Sequence, residues 1–152
     1  MAARWITSLF LVSLSLWAGA TVFYSGAVLP LLFTNLAPHD AGNIAALIFP
    51  VYFRAGLALG TLATAASWML ARACGRRWYA VFALLALMTA CEGWEALVIL
   101  PQIAEVRGVD AEAARFQQLH TLSVRLNAVV LGGGLLVLAS GALLFAPRRD
   151  DA

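Results

Sequence analysis

Residues 78–101 read WYAVFALLALMTACEGWEALVILP, and this stretch decides the fold. It is apolar on every side for more than five helical turns, where a helix on a soluble protein would show a polar face at each turn. Its length matches the roughly 20 residues needed to cross a bilayer core at ~1.5 Å per residue. Glu92 and Glu95 are the only charged residues in it. The run therefore reads as a membrane-spanning helix that carries two acids, and a charge near the bilayer centre costs at least ~2.5–3.5 kcal/mol unless it is met by a partner, water or a function.

The rest of the chain has the same character. Of 152 residues, 62% are hydrophobic and only 12% charged, far from the roughly 25% charged content of soluble domains. The sequence predicts an all-α, integral-membrane four-helix bundle forming a single domain over 1–152, with helices at about 5–33, 44–73, 78–100 and 111–145. Arg4 ahead of an apolar run and the small residues Ala18-Gly19-Ala20 resemble a secretory signal, but the run continues well past them, so a retained first helix is expected. Pro30 is expected to bend or end helix 1, Pro50 to interrupt helix 2 and Pro101 to stop helix 3. Residues 34–43 read as a loop, and Asp110 as a side-chain cap for a helix starting at Ala111. Gly56 and Gly60 form a G-x-x-x-G that favours close helix packing. No tandem repeat stands out.

The ten basic residues are all arginine. Arg4, Arg72, Arg76, Arg77, Arg148 and Arg149 fall on one side of a four-span topology, and the positive-inside rule places that side, with both termini, in the cytoplasm. The expected location is a multi-pass position in the bacterial inner membrane, with the lipid bilayer as first partner. Other membrane subunits or a second copy are further candidate partners; nucleic acid is not. Trp5 and Trp78 read as interfacial aromatics, and Trp17, Trp68 and Trp94 as packing residues. Cys74 and Cys91 show no disulfide or zinc spacing.

Two further charges, Arg54 and Arg125, fall within spans. Counted from the outward helix ends, Arg54 and Glu92 lie about 14–15 Å deep, and Glu95 and Arg125 about 9 Å deep. Glu92 and Glu95 share a helix face. The sequence therefore predicts two buried salt bridges, Arg54 with Glu92 and Arg125 with Glu95, in an outward-facing polar cluster completed by Tyr52, His120, Ser123 and Asn127. Such a cluster reads either as a structural network that sets helix register or as a polar cavity for a solute, proton or cofactor. His39 and His120, at the outward boundary, are candidate ligands for a haem or a transition metal such as copper. No motif of a soluble-type active site is present.

Leu29-Pro30-Leu31-Leu32-Phe33 with Asn35-Leu36 and Ala41-Gly42, then Ile48-Phe49-Pro50-Val51-Tyr52-Phe53, then Phe116 with residues 119–127 (LHTLSVRLN) resemble the transmembrane protein 205-like family. The resemblance implies a four-helix membrane protein without an established biochemical role, and places Pro50, Tyr52, Phe53, His120, Ser123 and Asn127 in the family pattern. Trp17-Ala18-Gly19 with residues 29–33 shows a fainter likeness to the copper-resistance D-like and HemJ-like four-helix proteins, which handle copper or haem. The HemJ-type histidine of helix 1 is absent. The expected function is that of a non-enzymatic accessory subunit or small-solute binding and transport component. The alternatives are a haem- or metal-binding redox protein and a purely structural subunit.

Overall fold

A computed structural model of the chain describes residues 2–141. Four helical spans, Arg4–Asn35, Pro38–Cys74, Arg77–Val106 and Asp110–Ala139, are each long and apolar enough to cross a membrane. The chain is a multi-pass membrane protein. The second and fourth spans each pack against both the first and the third, so the four stand at the corners of a square. One end carries the Gly75–Arg76 turn; the other carries two connections, at 36–37 and 107–109. These are called below the single-turn end and the double-loop end.

Each odd-numbered span is built in two pieces around one wide turn. The first consists of α1 (Ala2–Phe23), a π-helical turn at Tyr24–Val28, and α2 (Leu29–Asn35). The third consists of α4 (Arg77–Trp94), a π turn at Glu95–Ile99, and α5 (Leu100–Val106). The cause is a Leu-Pro pair at each α2 and α5 start. Pro30 and Pro101 have no N–H, and their rings crowd the carbonyl four residues back. The turn widens instead of breaking: Leu29 N–H bonds to the Tyr24 carbonyl and Leu100 N–H to the Glu95 carbonyl, each five residues back. Helix 3 therefore runs through Pro101, where the sequence predicts a stop, to Val106. The same interval separates Trp17 from Met88, Tyr24 from Glu95 and Leu29 from Leu100, a correspondence hidden by the different side chains.

The second span is one helix, α3 (Pro38–Cys74), which starts inside the expected loop and passes Pro50 unbroken. Pro38 stands where a missing N–H is harmless, and Asp40 lies in the first turn, where its charge suits the helix dipole. The fourth opens with a 3-10 turn at Asp110–Glu112 and continues as α6 (Ala113–Ala139); no side chain caps either start, so Asp110 does not take the predicted role. The predicted helix end at Phe145, with Arg148 and Arg149, lies outside the described residues. Gly75 and Gly108, in two of the three connections where the chain reverses, have φ of 93° and 77°, a left-handed region that glycine enters without a Cβ clash.

Phe10, Leu14, Trp17, Leu70, Trp78, Leu85, Met88 and Val137 form the apolar core of the single-turn half. Trp78 is buried there, edge-on to Phe10 at 5.2 Å between ring centroids, and so is not an interfacial residue. Toward the double-loop end the interior turns polar.

Candidate functional site

Glu92 and Glu95 face inward and are 2% and 1% exposed. Glu92 lies against Gly56 of the second span, so closely that a Cβ there would collide with its Oε1 and come within 2.8 Å of its Cδ. The Trp17 indole comes in from the first span: its Nε1 would stand 3.2 Å from that Cβ, and its Cη2 would be 2.8 Å from one on Gly60. The G-x-x-x-G row thus makes room for an indole and a carboxyl group, not for a second backbone.

The other walls come from all four spans. Tyr52 donates its hydroxyl to Asn127 Oδ1 at 2.9 Å, and Asn127 Nδ2 donates to Ser25 Oγ at 3.0 Å. Thr21 lies beside the Tyr52 hydroxyl and Ser123 beside the Glu95 carboxyl group. Tyr24, the first residue of its π turn, stacks on Tyr52 at 4.7 Å between centroids. Glu95 is the first residue of the other. Such widened turns shift the residues that follow around the helix and occur often at functional sites.

Several polar atoms in this core fall outside hydrogen-bond geometry, namely Glu92 Oε2, both Glu95 oxygens, Trp17 Nε1 and the Tyr24 hydroxyl, although the Trp17 indole lies beside the Glu92 carboxyl group and the Ser123 hydroxyl beside that of Glu95. A buried polar group left alone costs about 1–3 kcal/mol, and an ionised one more.

The predicted salt bridges do not form. Among the described residues there is no buried ion pair, and the Arg115–Glu112 pair, 4.0 Å apart, lies on the surface. Arg54 is exposed on the ridge that carries Leu47 and Val51. It sits two residues from Gly56, about 200° around the helix from the face that receives Glu92. Arg125 is likewise two residues from both Ser123 and Asn127, and lines a shallow outer groove with Gln117, Gln118, Thr121 and Leu122. Matching depth is not enough; the helix face decides.

The histidines also stand outside the carboxyl core. His120 is exposed and stacks on Phe116. His39 is exposed and shares a 3.0 Å hydrogen bond with Asn43, whose Oδ1 accepts from Arg107 Nη2 at 3.0 Å, tying the start of the second span to the 107–109 connection. Among the described residues no three His, Cys, Asp or Glu side chains gather as a metal site.

Of the residues singled out in the sequence, the structure brings together Tyr52, Glu92, Glu95, Ser123 and Asn127. It leaves out Arg54, Arg125, His120 and His39. It adds Trp17, Thr21, Tyr24 and Ser25. The available signal for these four was the Leu-Pro pair at 29–30, which marks the first span's wide turn as it marks the third's.

Four membrane-spanning helices around a polar core of two carboxyl groups define a class of small multi-pass membrane proteins. Within it, the family described as "Domain of unknown function (DUF4149)" matches residues 12–112, and the chain belongs to that family. The match covers Trp17 to Glu95 of the core and stops short of Ser123 and Asn127. No curated protein and no solved structure matches the chain.

Proposed function

We propose that this protein is a membrane component that binds and moves a small solute, with the occluded core around Glu92 and Glu95 as its binding place. The observation that carries this reading is the set of buried, unpartnered polar atoms that the first and third spans bring to the polar half of the bundle, spread over about two helical turns. A network that served only to fix helix register would gain by satisfying them.

The wide turns beside the core favour the same reading, since a π turn lets a helix shift its register locally. Arg4, Arg72, Arg76 and Arg77 gather at the single-turn end, which the positive-inside rule assigns to the cytoplasm of a bacterial inner membrane. The double-loop end then faces outward, with the core extending from mid-span, at Glu92, into the outer half. The resemblance of residues 29–33, 48–53 and 116–127 to the transmembrane protein 205-like family is consistent with a four-helix protein of this build.

Accessibility tests the proposal without knowledge of the solute. In a variant with Cys74 and Cys91 replaced by serine, single cysteines placed at Ser25 or Ser123 are expected to react with a membrane-impermeant thiol reagent from at least one side of sealed vesicles, faster than a cysteine at buried Leu85. If both react as slowly as the Leu85 position from both sides, the core is sealed and the proposal fails.

A further inference from the structure

We propose that the solute of this core is a small cation, a proton or an alkali-metal ion, taken up between the Glu92 and Glu95 carboxyl groups. This deepens the reading of the core as a solute site and rests on it.

Charge is the first argument. Two carboxyl groups one helical turn apart are buried with three of their oxygens unpartnered, and a pair of carboxylates in that position is a large uncompensated charge. Among the described residues no basic side chain faces them: Arg54 and Arg125, the nearest candidates by depth, point to the perimeter. The titratable groups around the pair are Tyr52 from the second span, Tyr24 behind it on the first, and Cys91 beside Glu92 on its own span. The fourth span contributes only the neutral Ser123 and Asn127. The balancing charge therefore comes from outside the protein.

Size and ligand type supply the second argument. Glu92 fills the space above Gly56 so fully that not even a methyl group fits there, which leaves no room for a bulky organic cation. An anion would meet two acceptor groups of its own sign, and a neutral solute would leave the pair to be neutralised by protons. The free atoms are carboxyl oxygens, hard donors suited to a proton or a hard metal ion. Trp17 Nε1 lies beside the Glu92 carboxyl group at Gly56, and the buried, unpartnered Tyr24 hydroxyl belongs to the ring stacked on Tyr52.

Infrared spectroscopy of the protein in lipid nanodiscs reads the pair directly, because a protonated carboxyl and a carboxylate absorb at different frequencies. The expected result is a carboxyl signal that converts to carboxylate when the pH is raised, or when sodium or potassium is added at fixed pH with release of protons. Conversion by pH alone identifies the proton as the cation; conversion by the alkali ion with proton release identifies exchange of the two. The signal is expected to fall by half in E92Q and in E95Q, each of which keeps the side chain's shape, and to be unchanged in R54Q. A carboxyl signal that responds to neither pH nor alkali ions, or one that E92Q and E95Q leave intact, overturns the proposal. Thiol labelling of position 25 or 123 without any such response would leave the solute site standing and its cationic character refuted.

Discussion

The two helical hairpins of this molecule use one backbone design with different fillings. In the first, Trp17 rests on Gly56 and Gly60 of the second span, and Tyr24 opens the π turn ahead of Leu29-Pro30. In the second, Met88 rests on Gly133 of the fourth, and Glu95 opens the π turn ahead of Leu100-Pro101. A flat, rigid indole and a phenol occupy in one half the places that a flexible thioether and a carboxyl group hold in the other. The backbone fixes which positions face the interior, and the side chains there make one hairpin an aromatic wall and the other an acidic one.

That contrast predicts unequal tolerance at the glycines. Gly56→Ala places a methyl group on the Glu92 carboxyl and beside the Trp17 ring, neither of which has room to retreat. Overpacking of this kind costs typically 1–3 kcal/mol, which exceeds the helix-propensity gain of about 1 kcal/mol. A melting temperature in detergent well below that of the parent is expected, and one equal to it would show that the carboxyl group moves aside freely. Gly133→Ala meets Met88 Sδ at 2.6 Å, but the unbranched methionine side chain re-routes readily. Its net effect is expected to be below about 1 kcal/mol, since the propensity gain offsets most of the repacking. Gly132, with open space around it, is the control at which alanine should stabilise.

The hairpins are joined across the core by the hydrogen bond from Tyr52 to Asn127. Tyr52→Phe removes the donor and strands a part-buried amide oxygen, for an expected loss of about 1 kcal/mol. A loss of that size in Tyr52→Phe but not in Tyr79→Phe, on the exposed side of the third span, would locate the effect in the core. A second, sharper comparison concerns Glu95 and Arg125. As they point to opposite sides, the changes in melting temperature of Glu95→Met and Arg125→Met, whatever their signs, are expected to add, as for independent sites. A double variant that recovers stability would restore the salt bridge that the structure denies.

How much of this was legible follows from the type of signal. The four spans were legible because hydropathy over twenty residues outweighs every local detail. The inward turn of Glu92 and Glu95 was legible from their spacing and from the expense of exposing both to lipid. The arginines were misread because depth was matched without face. The correction was also in the sequence: Gly56, Gly60 and Ala63 mark the packed side of the second span, and Arg54 is out of register with all three. Arg125 and Asn127, two residues apart, cannot share a face. The π turns were missed because Pro30 and Pro101 were read as helix ends, whereas a membrane interior, which leaves no unsatisfied backbone group unanswered, favours widening the turn over stopping the helix.

The smallest expected effect belongs to Tyr24→Phe, and it bears most directly on what the hairpins have in common. Tyr24 and Glu95 correspond along the two hairpins, and both carry buried oxygens without partners. Removing the Tyr24 hydroxyl deletes an unpaired group and leaves the ring stacked on Tyr52, so stability should stay within about 0.5 kcal/mol of the parent, on the favourable side. A hydroxyl that serves a bound cation behaves differently under load: the infrared response of the carboxyl pair to sodium or potassium would then weaken in Tyr24→Phe although the fold is untouched. An unchanged response confines the cation to the acidic hairpin, and makes the aromatic one its wall alone.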